Sequence, residues 1–556
     1  KRTKEQLAAA PNKGLGYGAL RYLVAEAVQQ RLAKLPPARI TFNYLGQFDQ
    51  SFDEQALFVP SEEGSGAGHG DDVALGNWLT LDGRIFNGQL SLDWTFSGDV
   101  FDEATLQQLA DAYAVALQQL IDHCCTDGHQ GLTPSDFPLA RLSQSQLNGL
   151  PVPVAQVEDI YPLSPMQDGM LFHTLADDSS GLYINQISLP VHGLDTERFA
   201  RAWTAVIERE DILRTSFHWQ DGLSAPVQIV HRYVELPLQI EDWRGQDISE
   251  QAISARATAD YLAGFDLSRA PLQRVLLLRL EDDRYQMIWT CHHILMDGWS
   301  SSRLFGEVLQ FYAHGQVPSR NGRYREFIEW LQRQDQGALE RFWRSRLEPL
   351  EQATSLNQAM FPRHVAALPG HEALYSRWDA AQTVRLQQAC RALQITPNTL
   401  IQGAWLLLLQ RFTGQNTVVF GATVAGRPAG LVNADNILGL FINTLPVIQT
   451  LDPEQPLDQW LQQLQAYNLD LREHSHAPLA DIQRWSGLGG QGLFDSIIVF
   501  ENYPIDERLA DQQDTGLSFG ESRNHDVTNF PMDLAVNLGE TLCIEYLFLR
   551  NAFSVE

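Results

Sequence analysis

Residues 290–300 read TCHHILMDGWS: two adjacent histidines where an apolar run ends, then an aspartate, a glycine and a tryptophan. An imidazole titrates close to neutral pH, so it can take a proton or hold a nucleophile in place. A nearby glycine lets a substrate reach the backbone, and an exposed N–H can meet a developing oxyanion. A buried aspartate needs a cationic partner. The stretch REDILRTSF (209–217) offers Arg209 and Arg214, although both read equally well as surface arginines. Successive side chains of a strand point to opposite faces. If YQMIWTCHHI (285–294) is a buried strand, His292 and His293 cannot converge on one ion, which disfavours a zinc site. Two readings stay open on spacing alone. One is an imidazole working at the mouth of a strand. The other is a core histidine beside an ordinary Asp297-Gly298 surface turn.

The elements that must position these residues alternate between helix and strand. DTERFARAWTAVIEREDILRTSF (195–217) predicts an amphipathic helix running into a strand, and SRLFGEVLQFYAHG (302–315) a helix after the histidines. YREFIEWLQRQDQGALERFWRSRLEPL (324–350) is helical, and the mixture then repeats through NTVVFGATVAGRPAG and DNILGLFINTLPV. The fold class expected is α/β in two lobes, residues 155–345 and 346–556.

A second pattern divides the chain. LSLDWTFSGDVFDEA (90–104) resembles LCIEYLFLRNAFSVE (542–556), and ITFNYLGQFD (40–49) resembles IIVFENYP (497–504). Matching elements in a fixed order predict a duplicated large unit. Residues 1–125 would be the tail of one unit, with 126–154, rich in Gly, Pro, Ser and Gln, as a linker. The opening KRTKEQLAAAPNKGLGYG reads like the middle of something longer, and the chain stops where the helix after the last strand should begin. An excised piece of a multidomain enzyme is expected.

Charge narrows the function classes. Acidic residues outnumber basic ones 68 to 40, with no basic run, which argues against nucleic acid and anionic membranes. Five cysteines without C-x-x-C spacing fit a reducing cytosol better than a disulfide scaffold. No signal peptide or spanning apolar stretch is seen, so a cytoplasmic location is expected.

HHILMDG (292–298) matches the HHxxxDG signature of condensation domains of nonribosomal peptide synthetases, relatives of chloramphenicol acetyltransferase. Flanking segments resemble the family's other motifs in order: YPLSPMQDGMLFH (161–173), REDILRTSF (209–217), YREFIEW (324–330), LGLFINTLPV (438–447), HAPLADIQRWSG (476–487) and FDSIIVFENYP (494–504). Glu210 departs from the family's usual histidine; little consequence is expected. PNKGLGYGALRYL (11–23) and FNYLGQFD (42–49) resemble the last motifs of epimerization domains, whose own histidine motif would lie upstream of Lys1. The resemblance implies a chloramphenicol-acetyltransferase-like fold, two lobes in a V-shaped pseudo-dimer, preceded by a partial lobe of the same fold.

It also implies a reaction: amide-bond formation between two thioesters on the phosphopantetheine arms of upstream and downstream carrier proteins, next to an adenylation domain. No cofactor is bound directly. An epimerization tail and the YPLSPMQ opening together imply a D-configured donor and an L-configured acceptor. His293 is expected to hold the amine or take its proton, and Gly298 to give backbone access. His292 would pack against the loop, and Asp297 would form an ion pair with Arg209. Trp299, Ser300 and Asn443 are placed along the tunnel. Arg427 in AGRPAG (425–430) reads as part of a crossover loop or as a solvated turn residue, and His474 and His476 as solvent-facing. Two alternatives remain: a non-catalytic carrier-docking module, and an acyltransferase using a free small acceptor.

Overall fold

The computed structural model describes residues 1–47, 76–86, 88–126, 131–176, 181–220, 222–246, 248–316, 322–360, 370–489, 492–501 and 516–553. It divides into two compact units, Lys1–Ser135 and Asp136–Glu556. The division falls inside the expected 126–154 linker. The later part of that segment is packed, because Phe137, Leu142 and Leu147 bury apolar side chains and Ser143 forms a capping box with Gln146. Residues 127–130, 48–49, 502–504 and 554–556, which fall within the segments compared above, lie outside the described residues.

The first unit carries a three-stranded sheet, β1 (Ile40–Gln47), β2 (Leu79–Phe86) and β3 (Gln89–Phe96). β1 runs parallel to β2, and β3 antiparallel to it. Alternate residues of the central strand, Leu79 and Leu81, are buried with Leu106 of the Glu103–Cys125 helix. Asp102 caps that helix by accepting the Thr105 N–H.

The second unit holds two lobes, each around its own apolar cluster. In the first, β5 (Ile184–His192), β8 (Leu238–Asp242), β9 (Gln273–Arg279) and β10 (Arg284–His292) form one sheet in the order β5-β10-β9-β8. β10 is flanked antiparallel on both sides and is buried from Tyr285 to His292. A smaller sheet joins β4 (Val157–Pro162), β7 (Val227–His231) and β6 (Thr215–His218). The helices Thr196–Arg209 and Gly298–His314 pack together and bring Trp203, Trp289 and Phe305 into edge-to-face contact.

In the second lobe, β11 (His371–Trp378), β12 (Thr417–Val424), β13 (Asn443–Thr450), β14 (Ser496–Glu501), β17 (Met532–Leu538) and β18 (Leu542–Leu549) form a sheet in the order β11-β18-β17-β14-β12-β13. Among the described residues, two segments of this lobe join the first lobe's sheet and core. β15 (Ser518–Phe519) and β16 (Arg523–His525) add to the outer edge of β5 in the other lobe. Residues 437–441, with Ile437, Leu438, Leu440 and Phe441, are buried in the first lobe's cluster. Each crossing places groups from the second half of the chain beside the histidine pair.

Candidate active site

β10 ends at His292, and the backbone is then tied on three sides. The His292 N–H donates to Leu272 O (3.0 Å) and the His293 N–H to Tyr183 O (2.7 Å). The Asp297 N–H reaches Gly439 O (3.3 Å), on the segment that crosses from the second lobe. A fourth tie comes from the opening motif: the Gln167 side chain, fully buried, donates to Ile294 O (3.1 Å).

The pair splits as strand geometry requires. His292 is buried, and its Nδ1 accepts the Ile294 N–H (3.2 Å). That bond leaves the ring proton on Nε2. Burial, with the neighbouring His293, lowers its pKa to about 3, so the ring is neutral. His293 faces a cavity of about 320 Å3. Its Nε2 lies 3.6 Å from Asp526 Oδ2, which arrives on the segment after β16.

Strand alternation explains most of the cavity wall. Tyr183, Asn185 and Ile187 line it from the first lobe; Ile497, Val499 and Glu501 of β14 and Asp533, Ala535 and Asn537 of β17 line it from the second. The lining includes no lysine or arginine among the described residues, but four acids: Glu501, Asp526, Asp533 and Glu545. Burial, with Asp526 and Glu545 nearby, pushes Glu501 up to about 7. Burial likewise pushes Asp533 up to about 8; Asp526 and Glu501 add to the rise, against hydrogen bonds donated by the Thr528 hydroxyl (2.9 and 2.7 Å).

Asp297 is structural in its contacts, but its partner differs from the expected one. Its carboxylate caps the Gly298–His314 helix through the Ser300 N–H (2.8 Å), accepts the Phe441 N–H (3.0 Å) and lies 3.5 Å from Arg427. Arg427 is far from solvated: it donates to Ala434 O, Ile437 O and Ser300 Oγ, and its guanidinium covers the Phe441 ring. The adjoining Gly426 must be glycine, since a Cβ there would sit 2.0 Å from Phe441 O. Arg209 instead pairs with Glu210 (2.7 Å) and Glu307, at the far end of the Thr196–Arg209 helix. Arg214 is buried and joins Glu158 (2.7 Å), Asp211 (3.1 Å) and Ile207 O (3.0 Å), a network that Arg323 shares. It fixes β4 and β6, and none of its bonds reaches the histidine loop.

The three residues expected along the tunnel are absent from the cavity lining, each for a directional reason. Gly298 and Ser301, one helical turn apart, line the cavity, whereas Ser300 is fully buried between Gly439 and Arg427. Trp299 is 39% exposed on another face of that turn. At the start of β13, Ile442 and Thr444 line the cavity and Asn443 points the other way, donating to Ser475 O (2.8 Å) and Ala477 O (2.7 Å). His474 and His476 are half-buried, stacked on Phe342 and set edge-on to Trp330. Sequence reasoning missed Asp526, Glu501 and Asp533. A carboxylate within the apolar run MDLAVNL was the available signal for Asp533; Asp526, in a loop, offered none. Among the described residues no cluster of histidine, cysteine and carboxylate side chains is arranged to hold a metal ion.

Comparison with known proteins agrees with this arrangement. The profile of the family described as "Condensation domain" matches residues 1–142 and 157–556. The chain is 40% identical over 566 residues to one of the linear gramicidin synthase proteins of Brevibacillus parabrevis, and 39% identical over 570 residues to another from the same organism. Both alignments cover 100% of this chain, which spans 7% and 11% of those relatives' lengths. In fold it is similar to the starter condensation domain of rhizomide synthetase, with a TM-score of 0.58 and 21% identity over 71% of this chain and 90% of that one. The chain therefore belongs to the condensation-domain family, the amide-bond-forming domains of nonribosomal peptide synthetases.

Proposed function

We propose that the second unit joins a donor acyl thioester to an aminoacyl acceptor, both carried on phosphopantetheine arms of partner carrier proteins, within an assembly that also holds an adenylation domain. The observation that carries this reading is His293 at the end of β10, facing a cavity walled by both lobes. The acceptor nitrogen attacks the donor carbonyl. A C–N bond forms, the C–S bond breaks, and the nitrogen's proton ends on the departing thiol.

An α-amino group titrates near about 7.7–8.0, so a useful fraction is neutral at pH 7 and a strong base is not required. His293 holds the amine in line and takes its proton as the tetrahedral intermediate collapses. Gly298 presents no side chain to the cavity and opens a helix whose N-terminal end favours negative charge. His292 is the packed partner that fixes the turn, and Arg209 and Arg214 brace elements further away.

The donor end is D-configured and the acceptor L-configured in this reading. Its support is the YPLSPMQ opening and the likeness of residues 1–125 to the end of an epimerization domain. The first unit lacks a histidine motif of its own and should not exchange an α-proton unaided. A cytoplasmic setting, where thiols stay reduced, belongs to the same proposal; the five cysteines are all free, and no described helix is long and apolar enough to cross a membrane.

The test loads two carriers, gives the donor a D- or L-configured end, and follows dipeptidyl product. D-donors should react faster. His293→Ala should slow the reaction by roughly 10²–10⁴-fold. Product from a free amine without an acceptor carrier would point instead to an acyltransferase with a small acceptor, and no product at all to a docking module.

A further inference from the structure

The cavity holds four carboxyl side chains and no lysine or arginine among the described residues, although an amide-forming step by itself requires no acid. Three of the four are accounted for. Asp533 accepts the Thr528 hydroxyl, Glu545 accepts the Tyr375 hydroxyl (2.9 Å), and Glu501 on β14 is half-buried and hydrogen-bonded by the Asn537 side chain. Asp526 differs from these. Its Oδ1 is shielded from solvent and has no hydrogen-bond partner among the described residues. It is also the acid found within ion-pair distance of His293.

The backbone fixes Asp526 in place. On one side, β16 pairs with β5, with His525 opposite Gln186. On the other, the Tyr183 N–H donates to Val527 O (3.1 Å). Tyr183 also accepts the His293 N–H, so the imidazole and the carboxylate hang from one residue's backbone. The 3.6 Å between His293 Nε2 and Asp526 Oδ2 is too long for a hydrogen bond between them. Both residues line the cavity, and two acceptor atoms at this separation leave room for one small multi-donor cation to bond to each. The Nδ1 of His293, also shielded and without a partner among the described residues, can carry the ring proton while Nε2 accepts.

We propose that Asp526 is the counter-charge that binds the acceptor's α-ammonium, with His293 Nε2 as the second anchor of the same nitrogen. The assignment rests on the condensation reading above and names the group that recognises the acceptor within that site. An acceptor that enters near pH 7 is mostly cationic, and moving a cation out of water needs a partner charge. Asp526 supplies it, delivered to the first lobe's histidine by a segment of the second lobe. The ammonium then passes one proton to water before its lone pair attacks, which leaves His293 Nε2 free to take the next one as the tetrahedral intermediate collapses.

The full chain and separately prepared carriers provide the test. One acceptor carrier holds L-alanine. The other holds an aminooxyacetyl group, whose nitrogen is nucleophilic yet uncharged at pH 7. Asp526→Asn keeps the shape and removes the charge. With L-alanyl carrier, KM should rise about tenfold or more while kcat stays within about threefold, the scale of one lost charged hydrogen bond. With aminooxyacetyl carrier, both constants should stay within about threefold of wild type. Asp526→Ser, with less bulk, should show the same split and guards against a folding defect peculiar to Asn. Equal losses with both acceptors would mean that Asp526 merely holds His293 in place, and unchanged kinetics with L-alanyl carrier would mean it does nothing; either overturns the assignment. Absence of product from the wild-type chain with both acceptors overturns the condensation reading itself, and this inference with it.

Discussion

The triplets β1-β2-β3 and β14-β17-β18 have the same internal topology: a first strand parallel to a second, and a third strand antiparallel to that second. Their surroundings differ. The second triplet is the middle of a six-stranded sheet, with β12 beyond β14 and β11 beyond β18. Among the described residues the first triplet forms a sheet by itself. Equivalent positions show the consequence. Phe42 of β1, opposite Leu81, is 58% exposed, whereas Ile498 of β14, opposite Leu534, is 2% exposed. Similar local patterns thus set strand direction and pairing, while burial depends on neighbours that the pattern does not contain. In the second copy a segment between the second lobe's strands crosses to the histidine loop.

The comparison breaks most sharply where those crossings are cut. Asp297→Ala leaves Arg427 buried without its carboxylate and removes a helix cap. The second unit should lose about 3–5 kcal/mol, read as a lower denaturant midpoint. Arg427→Ala should cost a similar amount, and the double variant less than the sum, because both remove one interaction. Retained stability with lost activity in Asp297→Ala would place the aspartate in the chemistry instead. Arg209→Ala, whose ion pairs lie elsewhere, should fail to couple to Asp297→Ala in the same cycle.

A milder cut separates the two triplets directly. Ile498→Ala opens a cavity in a packed sheet and should cost about 2–5 kcal/mol. Phe42→Ala, at the matching position, should stay within about 0.5 kcal/mol. Equal costs, measured by unfolding each variant in urea, would show that the two copies are supported alike and that exposure in the first is misleading.

What the sequence could reveal follows the same division. Strand alternation, helix periodicity and the HHILMDG run are local, so β10, the helix after it and the outward turn of His293 were legible. The partner of Asp297 was not. Arg427 is 130 positions away in a loop, and Arg209, closer in sequence, seemed the natural choice. Ser300 and Asn443 lie one residue from true cavity residues, Ser301 and Thr444. Motif position located the right stretch, but which face of a strand or helical turn looks inward is decided by packing against the other lobe. Asp526 had no signal, since it reaches His293 through a crossing that no periodicity records.

The last expected effect concerns charge inside the second copy. Asp533 sits on β17, the central strand of that triplet, with its carboxyl held up to about 8 by burial. A raised folded-state pKa means that the fold binds a proton the unfolded chain has released. Its stability contribution is full below the unfolded value, near pH 4, and is lost as pH rises toward 8. Buried His292, held down to about 3, works in the opposite sense: its contribution is present above about pH 6.5 and is lost as pH falls toward 3. The two slopes overlap between pH 4 and 6.5 and partly cancel in wild type, so total stability is a poor reporter. The difference between Asp533→Asn and wild type isolates one of them. Asparagine keeps an acceptor for the Thr528 hydroxyl and cannot ionise. Its stability toward urea, matched to or below wild type at pH 5, should gain on wild type as pH rises, by at most about 1.4 kcal/mol for each unit crossed, and level off above about pH 8. A difference that stays constant with pH would mean that Asp533 is already ionised in the fold at pH 5 and that the acids of this cavity share their charge differently.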